Sequence, residues 1–155
     1  MNNNPPPELI QLEDSSIWQD VCAIAEKIYV VLPALPEEEK WNLGAKLRQS
    51  ANDAMYFTAY AVGNTSPTGN EYDWGQTRKC LAALKTLYRF CGRLKFTQID
   101  PDIMLTFDDL QKRVDAEVKK AHEKTEAYQK NDLQHWRKKY ELAQKAYKLQ
   151  DKDEE

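Results

Sequence analysis

"LPEEEKWNLGAKLRQSA", residues 35–51, opens with a proline and three carboxylates and then turns apolar and small. Pro36 suits the first turn of a helix, where a missing N–H costs nothing. Glu37, Glu38 and Glu39 complement the positive end of the helix dipole. Beyond them Leu43, Leu47, Ala51, Ala54, Thr58 and Ala61 recur on one face. Most are small, so a neighbouring helix can approach closely. Gly63–Asn64 supplies the stop. One long, small-faced helix from Pro36 to about Gly63–Asn64 is therefore expected.

Upstream, Ile17, Val21, Ile24, Ile28 and Val31 repeat at four-three-four-three spacing, and Trp18, Ala25, Tyr29 and Leu32 widen the stripe. This predicts a core-facing first helix that stops at Pro33. Downstream, "NTSPTGN" reads as a loop. A third helix is expected from about Glu71 to Lys95, with Trp74, Thr77, Leu81, Leu84, Tyr88 and Cys91 inward. After "QIDPD", Thr106 and Asp109 resemble a capping box. Leu110, Val114, Val118, Ala121, Thr125 and Tyr128 then mark a fourth helix. Its register slips near Asn131–Asp132, and Leu133, Trp136, Tyr140, Ala143 and Tyr147 begin a new stripe, as a bend or a fifth segment. No strand-like alternation competes. The expected fold is all-α: an antiparallel four-helix bundle over 13–130 with a C-terminal helical extension over 131–150. Residues 1–12, Asn- and Pro-rich at the start, are expected to be disordered, and 151–155 form an acidic tail. The core should include Ile17, Val21, Ile28, Leu47, Ala51, Leu81, Leu84 and Val114.

The chain has 155 residues, a net charge of −3, five Gly and seven Pro. Its length suits one domain. No stretch is apolar and long enough to span a membrane, and no basic-then-apolar leader opens the sequence. Cys22, Cys80 and Cys91 are an odd number without CxxC spacing, read as reduced, partly buried thiols in a cytoplasmic protein. A Cys80–Cys91 disulfide or metal site lacks supporting ligands.

Residues 17–64, "IWQDVCAIAEKIYVVLPALPEEEKWNLGAKLRQSANDAMYFTAYAVGN", resemble the first two helices of the small bacterial four-helix bundle proteins. That family includes proteins encoded in intervening sequences of 23S ribosomal RNA genes. It also includes the accessory variability protein of diversity-generating retroelements, the partner of their reverse transcriptase. Tyr29, Leu35, Pro36, Glu39, Leu43, Gly44, Leu47 and Arg48 carry the likeness. "LAALKTLYRFCGRLKF" is similar to the third helix of the retroelement branch. The ribosomal branch carries Ser-Ile and Ala-Glu-Gly in the second helix, where this chain has Asp53-Ala54 and Ala61-Val62-Gly63. The likeness is therefore closer to the retroelement branch. It spans roughly residues 15 to 125 and contains no catalytic motif. It implies a homo-oligomer, a ring-like pentamer, that binds nucleic acid and a polymerase partner. The segment after about residue 130 has no clear counterpart.

Charge is unevenly placed. Residues 1–73 hold eleven acids and four bases, whereas residues 74–99 hold six bases and no acid: Arg78, Lys79, Lys85, Arg89, Arg93 and Lys95. At 100° per residue Arg78, Lys85, Arg89 and Arg93 form a stripe, expected to lie opposite the apolar face. Such a row can track a phosphate backbone, RNA or DNA. It can equally pair with an acidic protein surface, of a neighbouring subunit for example, or simply be solvated. Tyr88 could stack on a base, but its place on the apolar side favours the core. Residues 130–150 form a second basic segment, with Lys130, Arg137, Lys138, Lys139, Lys145 and Lys148 against Asp132 and Glu141. There Trp136 and Tyr140 interleave with Arg137, Lys138 and Lys139. The helical spacing favours packing for these aromatics, with the bases free for RNA or an acidic partner.

Chemistry-bearing motifs are missing. Neither His122 nor His135 follows a Glu at the spacing of bundle di-metal sites, and Asp132 with His135 is a lone pair. No P-loop, GxGxxG, HExxH or GxSxG occurs. Asp53, mid-helix among small residues, suits a bundle edge or a pairing with Arg48. The expectation is a non-enzymatic oligomeric adaptor without cofactor or metal. It binds nucleic acid through the third helix and docks a larger protein such as a reverse transcriptase. The alternative is a purely structural interaction module, with an enzyme assembled across subunits the weakest reading.

Overall fold

The computed structural model describes residues 12–153, with side chains through 145. The described residues are helices and short turns, with no strand among them: an all-α fold. Helix α1 is Ser16–Val31, followed by a 3-10 turn at Leu32–Ala34 and a one-turn α2 at Glu37–Lys40. The longer α3 (Leu43–Gly63), α4 (Pro67–Arg93) and α5 (Pro101–Asp153) follow. Each of the four long helices packs on two others: α3 on α1 and α4, and α5 on α4 and α1.

The core follows the apolar spacing. Val21, Ile24, Ile28, Leu47, Ala51, Ala54, Leu81, Leu84, Tyr88, Phe107, Leu110 and Val114 are all buried. Ile17 is half-buried at the edge. Ala51, Ala54, Thr58 and Ala61 keep α3 slim on its buried side. Thr58 and Thr77 meet there, and each hydroxyl donates to the carbonyl one turn back, at 2.6 and 3.0 Å. These internal bonds satisfy polar groups that would otherwise be buried without partners.

Two of the helix pairs run antiparallel, as their cross-links show. Asn70 Nδ2 donates to Ala61 O at 2.6 Å, while Thr77 lies beside Thr58. Along α4, Pro67, Glu71, Arg78 and Lys85 meet Thr125, His122, Asp115 and Asp108 of α5 in descending order. Arg113 joins α5 to Asp20 of α1, with its Nε also 2.8 Å from Asp109.

Several boundaries differ from expectation. The run from Pro36 is not one helix, because the chain leaves helical geometry at Asn42 (φ −103°, ψ −83°). Arg48 Nη2 donates to Lys40 O at 3.0 Å, satisfying a carbonyl at the end of α2. A Cβ on Gly44 would sit 3.2 Å from Leu35 Cδ1, so glycine permits the chain to fold back there. Asp53 pairs with neither Arg48 nor another base, and accepts from Gln49 Nε2 at 2.7 Å.

The expected loop 64–70 ends early: Ser66 caps α4 with Pro67 in its first turn. The same device starts α5, where Asp100 Oδ1 accepts from Asp102 N at 2.9 Å and Pro101 follows. Thr106 is therefore not a cap, and its hydroxyl bonds back to Asp102 O. In both cases a Ser-Pro or Asp-Pro pair starts the helix before the expected position, at Ser66 rather than about Glu71 and at Asp100 rather than Thr106. The α4 helix closes at Leu94 with Lys95 in the left-handed region (φ 59°). Lys95 N donates to Gly92 O and Phe96 N to Cys91 O, each at 3.0 Å, a Schellman closure.

No break occurs at 131; α5 runs on to Asp153. Its last buried described side chain is Thr125, level with the start of α4 at Pro67. Residues 126–145 are all exposed. Tyr128 is exposed because α5 has passed the start of α4, not because the periodicity fails. Tyr29 is also exposed, its hydroxyl donating to Asn52 Oδ1 at 3.0 Å. The expectations for 1–11 and 154–155, and for the side chains of Tyr147 and Lys148, lie outside the described residues.

Candidate nucleic-acid interface

The basic row on α4 does not lie opposite the apolar face. Helix α4 buries Trp74, Thr77, Leu81, Leu84, Tyr88 and Cys91. The row Arg78–Lys85–Arg89–Arg93 is rotated only about 100° from the centre of that face. It therefore runs along the seam with α5. There Lys85 is 17% exposed, ion-paired to Asp108 and donating to Gln111 Oε1 at 3.0 Å. Arg78 stands 3.8 Å from Asp115 Oδ1. The hydrogen bond from Lys85 holds the Asp108 carboxyl below its ordinary pKa, with Lys112 and Arg89 adding to the positive potential.

The remaining bases are different. Lys79, Arg89, Arg93 and Lys95 are exposed and form no ion pair among the described residues. Arg89 and Arg93 stand between two shallow depressions. One is lined by Lys85, Gly92, Ile99, Met104 and Asp108, the other by Thr86 and Phe90. Lys95 follows past the helix end. The loop that carries it is pinned, since Asp100 N–H donates to the Tyr88 hydroxyl at 3.0 Å. That bond and full burial make Tyr88 a core residue, unable to stack on a base.

The row that truly faces solvent is Tyr72, Lys79, Ala83, Thr86 and Phe90. Sequence reasoning missed its aromatics. Centring the helical wheel on the six buried residues above puts Tyr72 and Phe90 on the opposite side. Tyr72 belongs to a larger group: Phe57 lies 6.3 Å from it, Tyr56 5.3 Å from Phe57, and Tyr60 4.5 Å from Tyr56, between ring centroids. Tyr56, Tyr60 and Tyr72 are exposed.

The second basic segment stands apart. Trp136 and Tyr140 are 62% and 66% exposed, so packing against the bundle is not what these aromatics do in a single chain. Arg137, Lys138 and Lys139 are exposed beside them, with Lys139 Nζ 5.6 Å from the Trp136 ring centre. From Asp108, level with Lys85, to Arg137 is 29 residues of one helix, roughly 44 Å. The two basic surfaces therefore sit at opposite ends of the molecule.

Elsewhere the titratable groups serve structure. Burial raises the thiol pKa of Cys22, Cys80 and Cys91, all free. His122 Nδ1 lies 2.7 Å from Glu71 Oε1, which raises the imidazole pKa and lowers that of the carboxyl. Among the described residues no three His, Cys, Asp or Glu side chains gather as a metal site. No helix among them is long and apolar enough to cross a membrane. The chain matches no model of a known protein family, and no curated protein matches it.

Proposed function

We propose that this chain is an oligomeric adaptor of the retroelement-accessory kind, binding nucleic acid through the outer side of α4. In this reading the four long helices form an antiparallel bundle. The antiparallel α3–α4 and α4–α5 pairs and the short connections support it. The observation that carries the function is the set Lys79, Arg89, Arg93 and Lys95: exposed, without ion pairs among the described residues, on a stretch with no acid. Bases without ion pairs, three on α4 and Lys95 in its closing turn, meet phosphates without first breaking internal pairs.

The protruding part of α5 supplies a docking surface for a larger protein. Trp136 and Tyr140 offer broad apolar contact, and Arg137, Lys138 and Lys139 favour an acidic rim on the partner. The resemblance makes a reverse transcriptase that partner, in a cytoplasmic setting, and a ring of five the assembly.

A second reading, a purely structural module, gains from the pairing of Lys85 with Asp108 and of Arg78 with Asp115. Those acids already neutralise half of the row. Filter binding of RNA and DNA to wild type and to the Lys79→Gln/Arg89→Gln/Arg93→Gln variant separates the readings. Loss of binding with intact helicity and assembly supports the adaptor. Unchanged binding, or none by wild type at low salt, sinks it. Sedimentation at micromolar concentration tests the assembly, and a monomer of 18.0 kDa would remove that part.

A further inference from the structure

We infer that the outer side of α4, with the adjoining rings of α3, is a stacking platform for single-stranded nucleic acid. The inference rests on the nucleic-acid reading above and names the form of nucleic acid it takes.

Three observations converge on one surface. Tyr72 and Phe90, 59% and 47% exposed, bracket Lys79 on the solvent row of α4. They are 18 residues apart on a continuous helix, about 27 Å. Tyr56 and Tyr60 extend the Tyr72 end across α3, through Phe57, as a chain of rings. Arg89 and Arg93 flank Phe90 at the other end. Rings therefore alternate with cations along the strip, and both acids of α4 are engaged: Glu71 lies 2.7 Å from His122 Nδ1, and Asp73 is buried and accepts from Asn64.

The alternation decides among occupants. A duplex keeps its bases stacked on each other and offers a helix face only phosphates and groove edges. Exposed rings would gain little from it. An acidic protein would satisfy Lys79, Arg89 and Arg93 but leave the rings to chance. An unpaired strand satisfies both, with phosphates toward the cations and base faces on Tyr or Phe. Stacking of that kind is tolerant of sequence because every base has a π-face. Tyr56 and Tyr72, together with Phe90, are thereby assigned to binding.

The test uses the full chain and fluorescence anisotropy with labelled oligo-dT of about 15 nucleotides, beside a duplex of the same length. Wild type should prefer the single strand. Tyr72→Ala and Phe90→Ala should each weaken it about tenfold, leaving duplex binding and the salt slope unchanged. Tyr72→Phe and Phe90→Tyr keep a ring and should bind as wild type does. These positions are exposed, and circular dichroism checks that helicity is kept.

Equal affinity for strand and duplex, or ring variants that bind as wild type while Lys79→Gln/Arg89→Gln/Arg93→Gln does not, overturns the platform and leaves the nucleic-acid reading standing. Ring variants that lose self-association but keep strand affinity overturn it in favour of a protein interface. No binding of either probe by wild type removes the platform together with the reading beneath it.

Discussion

Lys85 of α4 and Asp108 of α5 pair directly across the seam between their helices, and Gln111 takes a second bond from the same ammonium at 3.0 Å. That arrangement divides the basic row of α4 into two groups. Lys85 and Arg78 are ion-paired to acids of their own chain, whereas Lys79, Arg89, Arg93 and Lys95 form no ion pair among the described residues.

The division is measurable. Arg89→Gln should weaken nucleic-acid binding several-fold at low salt, in line with the loss of one phosphate contact. Lys85→Gln should change it far less, because its charge is already engaged. Affinity measured for both single variants under one salt condition checks this. An equal loss would mean that Lys85 leaves Asp108 to reach the ligand.

Gly92 holds the closing turn of α4 against the loop that follows. A Cβ there would lie 2.2 Å from Ile99 Cγ1 and 2.6 Å from its Cδ1. Gly92→Ala gains roughly 1 kcal/mol in helix propensity but should lose more, about 1–3 kcal/mol, to the clash. Urea melts should therefore show net destabilisation. In an Ile99→Ala background the same substitution should become neutral or stabilising. A wild-type background stabilised by Gly92→Ala would show that Ile99 does not hold that loop.

Ala51 is fully buried on the slim side of α3. Ala51→Leu should cost about 1–3 kcal/mol by forcing neighbouring helices apart. Equilibrium denaturation reads this directly, and an unchanged midpoint would contradict the packing described.

The core was legible because it depends on a helical repeat that sequence carries openly. Leu47, Ala51, Leu81, Leu84 and Val114 are buried as their spacing requires. The helix starts were misplaced where two signals competed. Ser66-Pro67 and Asp100-Pro101 each preceded a plausible later start, and their caps won. The surface was legible only in part. Spacing shows which bases share a side, but not that α5 brings Asp108 and Asp115 to meet two of them. Nor does it show that α5 runs on past the level of Pro67, where α4 begins, which is why Tyr128, Trp136 and Tyr140 are exposed despite a core-like repeat.

His122 links α5 to the first turns of α4 through Glu71. Its folded pKa is raised above the ordinary 6.5, first by the bond to Glu71. The stabilisation is thus full below the unfolded pKa and is lost as pH rises through the folded one. The lowered Glu71 pKa works at the other end, its contribution disappearing as pH falls through the folded carboxylate value. Thermal midpoints should decline as pH rises above the ordinary imidazole value of 6.5 in wild type. His122→Gln should flatten that decline. An identical pH profile in the variant would show that the link adds nothing.

The salt dependence of nucleic-acid binding tests the central claim most directly. Affinity for a single strand, measured over a range of salt concentrations for wild type and the Lys79→Gln/Arg89→Gln/Arg93→Gln variant, gives two log–log slopes. Each phosphate contact adds about 0.7 to the magnitude for single strands. The wild-type slope should be steeper than the variant's by roughly 2, with helicity unchanged. Coincident slopes, or a wild-type protein with no measurable affinity at low salt, would contradict an α4 surface built to hold nucleic acid.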